Sequence, residues 1–336
     1  MSALLDPAIL FFGFGLFAGL VKSDLEIPAP IARFLSLYLL MALGLKGGFA
    51  LAESGLTVSV VASLTAAIAM ALIAPAIGYV ALRHRVNRFD AAALAASYGS
   101  VSAVTFLTAA QYLEDLGTPA GGHMAVALVL MESPAILIAV LIANTLRAER
   151  SRPATAPIGG GAALASLSGP PAGAQLGRIV HESLTNGSHL LLIGALAIGM
   201  LSGEAGRAVM QPFSIDLFKG MLAFFLLDMG LTVAKSLGDA RRAPTLLIGY
   251  AVVAPLIHAA IALLLATILG LGAADAALLM VLSASASYIV VPAVMRQAIP
   301  EANPALYCGL SLGITFPLNL LAGIPFYSWL ARTLLG

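Results

Sequence analysis

Apolar runs long enough to cross roughly 30 Å of hydrocarbon recur along the chain, and the charged residues collect in the short stretches between them. Five such runs fall at about 7–21, 30–52, 56–82, 90–112 and 122–146, and five more at 187–201, 213–233, 244–269, 274–294 and 304–330. The pattern predicts an all-α polytopic membrane protein of ten transmembrane helices. Two runs are interrupted by small hydroxyl residues: the fourth carries Tyr98-Gly-Ser-Val-Ser-Ala-Val-Thr-Phe106 and the ninth Ser283-Ala-Ser-Ala-Ser-Tyr288. An offset of 185 residues superposes Ser100 on Ser285, Ser102 on Ser287 and Asp90 on Asp275. In hydrocarbon, unwound backbone survives only where it is buried in protein or lines a cavity, so matched breaks in two halves point to a substrate site.

The halves share further features. Gly44-Leu45 matches Gly230-Leu231, Ser133-Pro134 falls opposite Phe316-Pro317, and the first run of each half is unusually short. Because five crossings are an odd number, the second half enters from the opposite side, which makes a 5+5 inverted repeat with discontinuous crossing helices in segments 4 and 9. The expected units are a first repeat over 1–146, a linker over 147–186 and a second repeat over 187–336. The linker holds Arg147, Arg150, Arg152 and Arg178 around a tract rich in Pro, Gly, Ala and Ser, the composition of a flexible connector. Lys22, Arg33, Arg83, Arg85, Arg88, the linker arginines, Lys235, Arg241, Arg242 and Arg296 fall on one side, against Arg207 and Arg332 on the other. By the positive-inside rule the linker is cytoplasmic and both termini lie outside. The N-terminus carries Asp6 and no Lys or Arg ahead of its apolar run, which argues against a cleaved signal peptide.

Composition narrows the class. Hydrophobic residues make up 60% of the chain and charged residues 10%, with a mean hydropathy of +0.99, where a soluble domain is about a quarter charged. Seventeen basic and sixteen acidic side chains leave no basic face for nucleic acid. Cys308, the one cysteine, permits no intrachain disulfide. His181-Glu182 is followed by Thr185 where a zinc protease motif needs histidine, and neither a G-x-S-x-G elbow nor a Walker sequence occurs, so an enzyme is not expected and transport would be secondary.

The candidate chemistry lies at the breaks. The fourth segment has Asp90 as its expected N-terminal cap and restarts at Ser100 or Ser102; the ninth is expected to restart at Ser285. Each restart is a helix N-terminus with free N–H groups, a positive dipole end and a capping serine, and a pair of them suits an oxyanion. Gly99, Ser100, Val101 and Ser102, with Ala284, Ser285, Ala286 and Ser287, form the expected anion site, and their small side chains favour a small anion. The plainer alternative is that Ser and Ala are small residues at tight helix crossings.

Ionisable residues inside segments are functional candidates: Lys46, Glu132 and Asp228, and less clearly Lys219 and His258. Pro134 frees a carbonyl one turn back, so Glu132 stands beside unpaired oxygen in surroundings suited to sodium. Ser102, Thr105, Thr108, Thr315 and Asn319 supply further oxygen. Alternatively Glu132 pairs with Lys46 or is protonated, and Asp228 is an equal candidate partner for Lys46. His258 on an apolar face reads more readily as a hydrogen-bonded core residue than as a proton relay.

At Tyr98–Phe106, at Ser285-Ala-Ser-Tyr-Ile-Val-Val-Pro-Ala-Val-Met-Arg296 and at Leu45-Lys-Gly-Gly48, the chain resembles the sodium-dependent bicarbonate permease family of cyanobacteria and other bacteria. The resemblance implies an elevator-type transporter of the bacterial inner membrane that takes up bicarbonate with sodium as coupling ion and carries no other cofactor. It implies a homotrimer with a gate domain from segments 1, 2, 6 and 7 and a core domain from segments 3–5 and 8–10. A PII-like cytoplasmic regulatory protein binds cyanobacterial relatives. The alternative keeps the architecture and couples sodium or protons to another small anion, such as a small carboxylate.

Overall fold

The computed structural model describes residues 6–55, 57–150 and 187–336; the expected linker lies outside these from residue 151 to 186. Helices α1 (Pro7–Leu20), α2 (Ala29–Ser54) and α3 (Val58–Leu82) lead into a broken pair, α4 (Arg88–Gly99) and α5 (Ala103–Asp115), and then α6 (Met124–Arg150). Beyond the linker come α7 (Gly187–Gln211), α8 (Phe218–Arg242), α9 (Thr245–Leu269), the second broken pair α10 (Ala273–Ala284) and α11 (Val290–Ala298), and a last run, α12 (Pro304–Leu335). No strand occurs among the described residues. Seven of their helical stretches are long and apolar enough to span a membrane, which makes this a multi-pass membrane protein.

Local chemistry sets where the helices start. Asp6 accepts the Ala8 amide at 2.8 Å and caps α1, and Thr57 accepts the Val60 amide at 3.4 Å to cap α3. Asp90 does not cap the fourth segment as expected; Asn87 does, accepting from the Phe89 amide at 3.1 Å, because the helix begins one turn-fraction earlier at Arg88. The Asp90 carboxylate instead accepts the Asn303 amide, just before α12, at 2.7 Å. Asp275 repeats the arrangement in α10, accepting the Gly121 amide, just before α6, at 2.7 Å.

The sixth apolar run ends where expected: helical geometry breaks at Gly203, whose φ of 54° suits glycine, and a second helical stretch to Gln211 and a π turn at Pro212–Asp216 lead into α8. That second stretch carries Glu204 and Arg207, and Arg207 pairs with Glu53 at 3.6 Å.

Helices α1 and α8 pack along their lengths, as do α2 and α7. Small residues permit the approach: a Cβ at Gly44 would stand 2.6 Å from the Leu192 carbonyl oxygen, and one at Gly199 2.6 Å from that of Leu45. The remaining helices form a second group in which α3 contacts α4, α6 and α9, and α10 lies between α9 and α12. Residues Phe89–Gly99 of α4 are almost wholly buried, as are Asp275–Ala284 of α10, so both half-helices run through the protein interior. Polar contacts mark two ends of the bundle. At one, Arg147 binds Glu301 at 2.7 Å and Arg88 binds Glu149 at 2.9 Å; at the other, Lys46 binds Glu114 at 2.9 Å and Lys219 binds Asp115 at 2.5 Å.

Candidate functional site at the two breaks

The first break spans 100–102. Helix α4 closes with the Ser100 amide on the Ala96 carbonyl at 3.0 Å, and the chain runs extended until the Ser102 hydroxyl accepts the Thr105 amide at 3.2 Å and caps α5. Gly99 is required by proximity, since a Cβ there would stand 2.5–2.8 Å from Pro75 of α3. The second break spans 285–289. Its helix restart is not at Ser285, because that residue closes α10 instead: its amide reaches the Leu282 carbonyl at 3.1 Å and its hydroxyl donates to the same oxygen at 2.7 Å. The restart follows Ser287, whose hydroxyl accepts the Val291 amide at 3.3 Å. A serine can close one helix or open the next, and backbone direction decides which.

The breaks are bonded to one another. The Ser102 amide donates to the Ser285 hydroxyl at 2.9 Å, the Ser287 amide to the Ser97 carbonyl at 2.8 Å, and the Ser97 hydroxyl to the Ser287 carbonyl at 2.6 Å. The Ser102 and Tyr288 hydroxyls meet at 3.3 Å. Ser97 and Ser102 thus tie the first break to the second without any full charge.

A cavity of about 70 Å³ opens beside this crossing. Val101, Ser102, Ala103 and Val104 line it from the first break, and Ser287, Tyr288, Ile289 and Val290 from the second. Of the first-turn amides, those of Thr105 and Val291 are taken by the Ser102 and Ser287 caps and Pro292 has none, which leaves Ala103, Val104 and Val290 of the lining as donors at two positive helix ends. Ser36 and Leu40 of α2, and Ser188, His189 and Leu192 of α7, close the opposite wall. The volume admits a few waters or one small anion. Gly99, Ser100, Ala284, Ser285 and Ala286 stand behind this lining and shape the two chain ends.

Glu132 of α6 also lines the cavity. Its backbone carbonyl accepts the Ser100 hydroxyl at 3.2 Å, and its carboxylate contacts Nε2 of His189 rather than Lys46. Lys46 is committed elsewhere: its ammonium binds both oxygens of Glu114, at 2.9 and 3.2 Å, and lies 4.3 Å from the Phe218 ring centre. Asp228 is half-buried in α8 and takes no part in these pairs. Among the other oxygen donors expected around sodium, Thr105 is buried in the first turn of α5, and the Thr108 hydroxyl donates to the Val104 carbonyl at 3.0 Å. Thr315 bonds the Tyr98 hydroxyl at 2.8 Å and donates to the Ala251 carbonyl at 2.8 Å. Asn319 donates to the Ala284 carbonyl at 2.7 Å, with its own Oδ1 buried and unpartnered. Ser102 and Glu132 therefore share the cavity wall, whereas Thr315 and Asn319 brace α4 and α10 from α12. His258 is buried in α9, where its ring meets the backbone of Ser283.

His189 and Tyr288 were not singled out as site residues by the sequence. Tyr288 sits in the Ser283–Tyr288 motif itself, and a histidine two residues into an apolar run was the available signal for His189. The family model for the Na+-dependent bicarbonate transporter superfamily matches residues 7–332 of the chain. No curated protein matches it.

Proposed function

The chain belongs to the Na+-dependent bicarbonate transporter superfamily, and from that premise we propose that it carries bicarbonate into the cell by secondary transport coupled to sodium. The observation that carries this reading is the pair of half-helix N-termini, at Ser102 and at Ser287–Val290, facing one cavity of about 70 Å³. Bicarbonate is small, planar and singly charged, and its oxygens match oriented N–H donors and serine hydroxyls without a compensating lysine or arginine. Sodium sits beside the anion at Ser102 and Glu132, with Thr105 one turn behind and the Leu130 carbonyl, which Pro134 leaves without its helical donor, on the same helix. Thr315 and Asn319 join that set when their present partners release them.

Two further features support an inverted repeat: the equivalent bonds from Asp90 and Asp275 to the loops before α12 and α6, and the matched packing of α1 on α8 and α2 on α7. In this reading α1, α2, α7 and α8 form the gate and the other helices the core, and the cavity lies between them. Movement of the core past the gate then gives alternating access. A homotrimer in the bacterial inner membrane, with outside termini and a cytoplasmic linker open to a PII-like regulator, completes the proposal.

The test is uptake of labelled bicarbonate by purified protein in liposomes. Uptake that rises with an inward sodium gradient and is not inhibited by formate or acetate is expected. Uptake indifferent to sodium, or preference for a small carboxylate, would replace this reading.

A further inference from the structure

A larger cavity of about 430 Å³ lies along the same helices as the break cavity, nearer Glu114. The two follow one another along α2, α5 and α6. On α2, Ser36 and Leu40 line the first and Leu43 and Lys46 the second; on α5 the lining passes from Ala103 to Phe106, Ala110 and Glu114; on α6 it passes from Leu128 to Ala125. These steps of three or four residues keep to one face of each helix. At 1.5 Å per residue, Lys46 and Glu114 stand about 15 to 18 Å along the helices from Ser36 and Ser102.

The charge in this chamber is arranged for exchange. Lys46 is mostly buried, its side chain 14% exposed, and it holds a carboxylate that is 36% exposed. Glu114 ends α5, where it is free to swing toward water, whereas Lys46 lies mid-helix on α2 over the Phe218 ring. A carboxylate and bicarbonate present the same two-oxygen face to an ammonium. We propose that the Lys46 chamber is a second anion station on the route to the breaks, where Glu114 occupies the place of an incoming small carboxylate-class oxyanion and yields to it. This rests on the transport reading above only for the direction of travel.

Protection by bicarbonate distinguishes the station from a simple structural ion pair. With Cys308 replaced by Ser and Ala50, which lines the chamber, replaced by Cys, the rate of labelling by an anionic methanethiosulfonate is compared with that by a cationic one. Glu114→Gln should raise the anionic-to-cationic ratio about tenfold, and added bicarbonate should slow labelling in that background; Lys46→Gln should lower the ratio and abolish protection. Transport should follow, with KM for bicarbonate lowered by Glu114→Gln and raised by Lys46→Gln at similar kcat. Equal shifts in the same direction for both variants, or no protection of the Glu114→Gln protein by bicarbonate, would overturn the proposal. Because labelling needs no uptake, failure of the wild type to carry bicarbonate would refute the transport reading and leave this result to stand by itself.

Discussion

The two breaks are chemically alike and mechanically different. The first is three residues long and runs into α5, which stays buried for most of its length; its cap, Ser102, also meets Tyr288 of the other break. The second is five residues long and opens into the nine-residue α11, of which only Val291, Pro292 and Met295 are buried, while Ile289 lies exposed beside the restart. Under the proposed reading, the buried end fixes where an anion sits, and the shorter, more exposed end opens and closes over it. The first break is therefore the frame of the site and the second its adjustable wall.

The largest effect that would test this difference is at Gly99, because the equivalent position on the second side, Ala284, already carries a Cβ. Gly99→Val drives new atoms into Pro75, and overpacking of this kind costs about 1 to 3 kcal/mol or more. Loss of monodisperse protein in detergent is expected, with Ala284→Val milder; the reverse order would remove the rigid-frame reading. Glu132→Gln comes next. It should raise the sodium needed for half-maximal uptake several-fold while leaving protein yield unchanged, and normal uptake at low sodium would make Glu132 structural.

Smaller effects sharpen the comparison. Removing either cap should cost about 0.5 to 2 kcal/mol, with Ser102→Ala the greater because it also loses the Tyr288 contact; thermal unfolding in detergent would show the ranking. The smallest effect concerns the far end of α11, where Arg147 donates to the Ala298 carbonyl at 2.9 Å and to Glu301. The hydrogen bond from Arg147 holds the Glu301 carboxyl below the usual carboxylate range. A depressed native value means the stabilisation is present above the unfolded pKa of about 4.3 and is lost as pH falls through the native one. For so exposed a pair it amounts to about 0 to 1 kcal/mol. Acidification should thus speed hydrogen exchange in α11 before α5, and Glu301→Gln should remove that pH dependence.

Much of this arrangement was legible in the chain because hydropathy locates interruptions well. A serine inside an apolar run has few uses, and the offset of Ser100 and Ser102 onto Ser285 and Ser287 marked both breaks. Which serine closes a helix and which opens one was not legible, since both roles suit the residue and the outcome depends on backbone direction. The same limit moved the cap from Asp90 to Asn87, three residues away and equally able. The helical stretch beyond the break at Gly203 was hidden because Glu204 and Arg207 lower hydropathy without lowering helix propensity. The partner of Glu132 was hidden for a different reason: His189 comes from the other half of the chain, and contacts between helices leave no trace in local spacing.

The central claim, that two helix N-termini and not a cationic side chain bind the anion, is tested most directly at Ser287. Ser287→Asp keeps a cap for α11 and suits the helix end, but it places a carboxylate where the substrate's charge belongs. Repulsion between like charges at short range is strong in a cavity shielded from water. Bicarbonate uptake is measured in liposomes for this variant beside Ser287→Ala, with yield and monodispersity in detergent recorded for both. The account predicts folded Ser287→Asp protein with no uptake and Ser287→Ala protein with weakened uptake; a well-folded Ser287→Asp protein that still carries bicarbonate would contradict it.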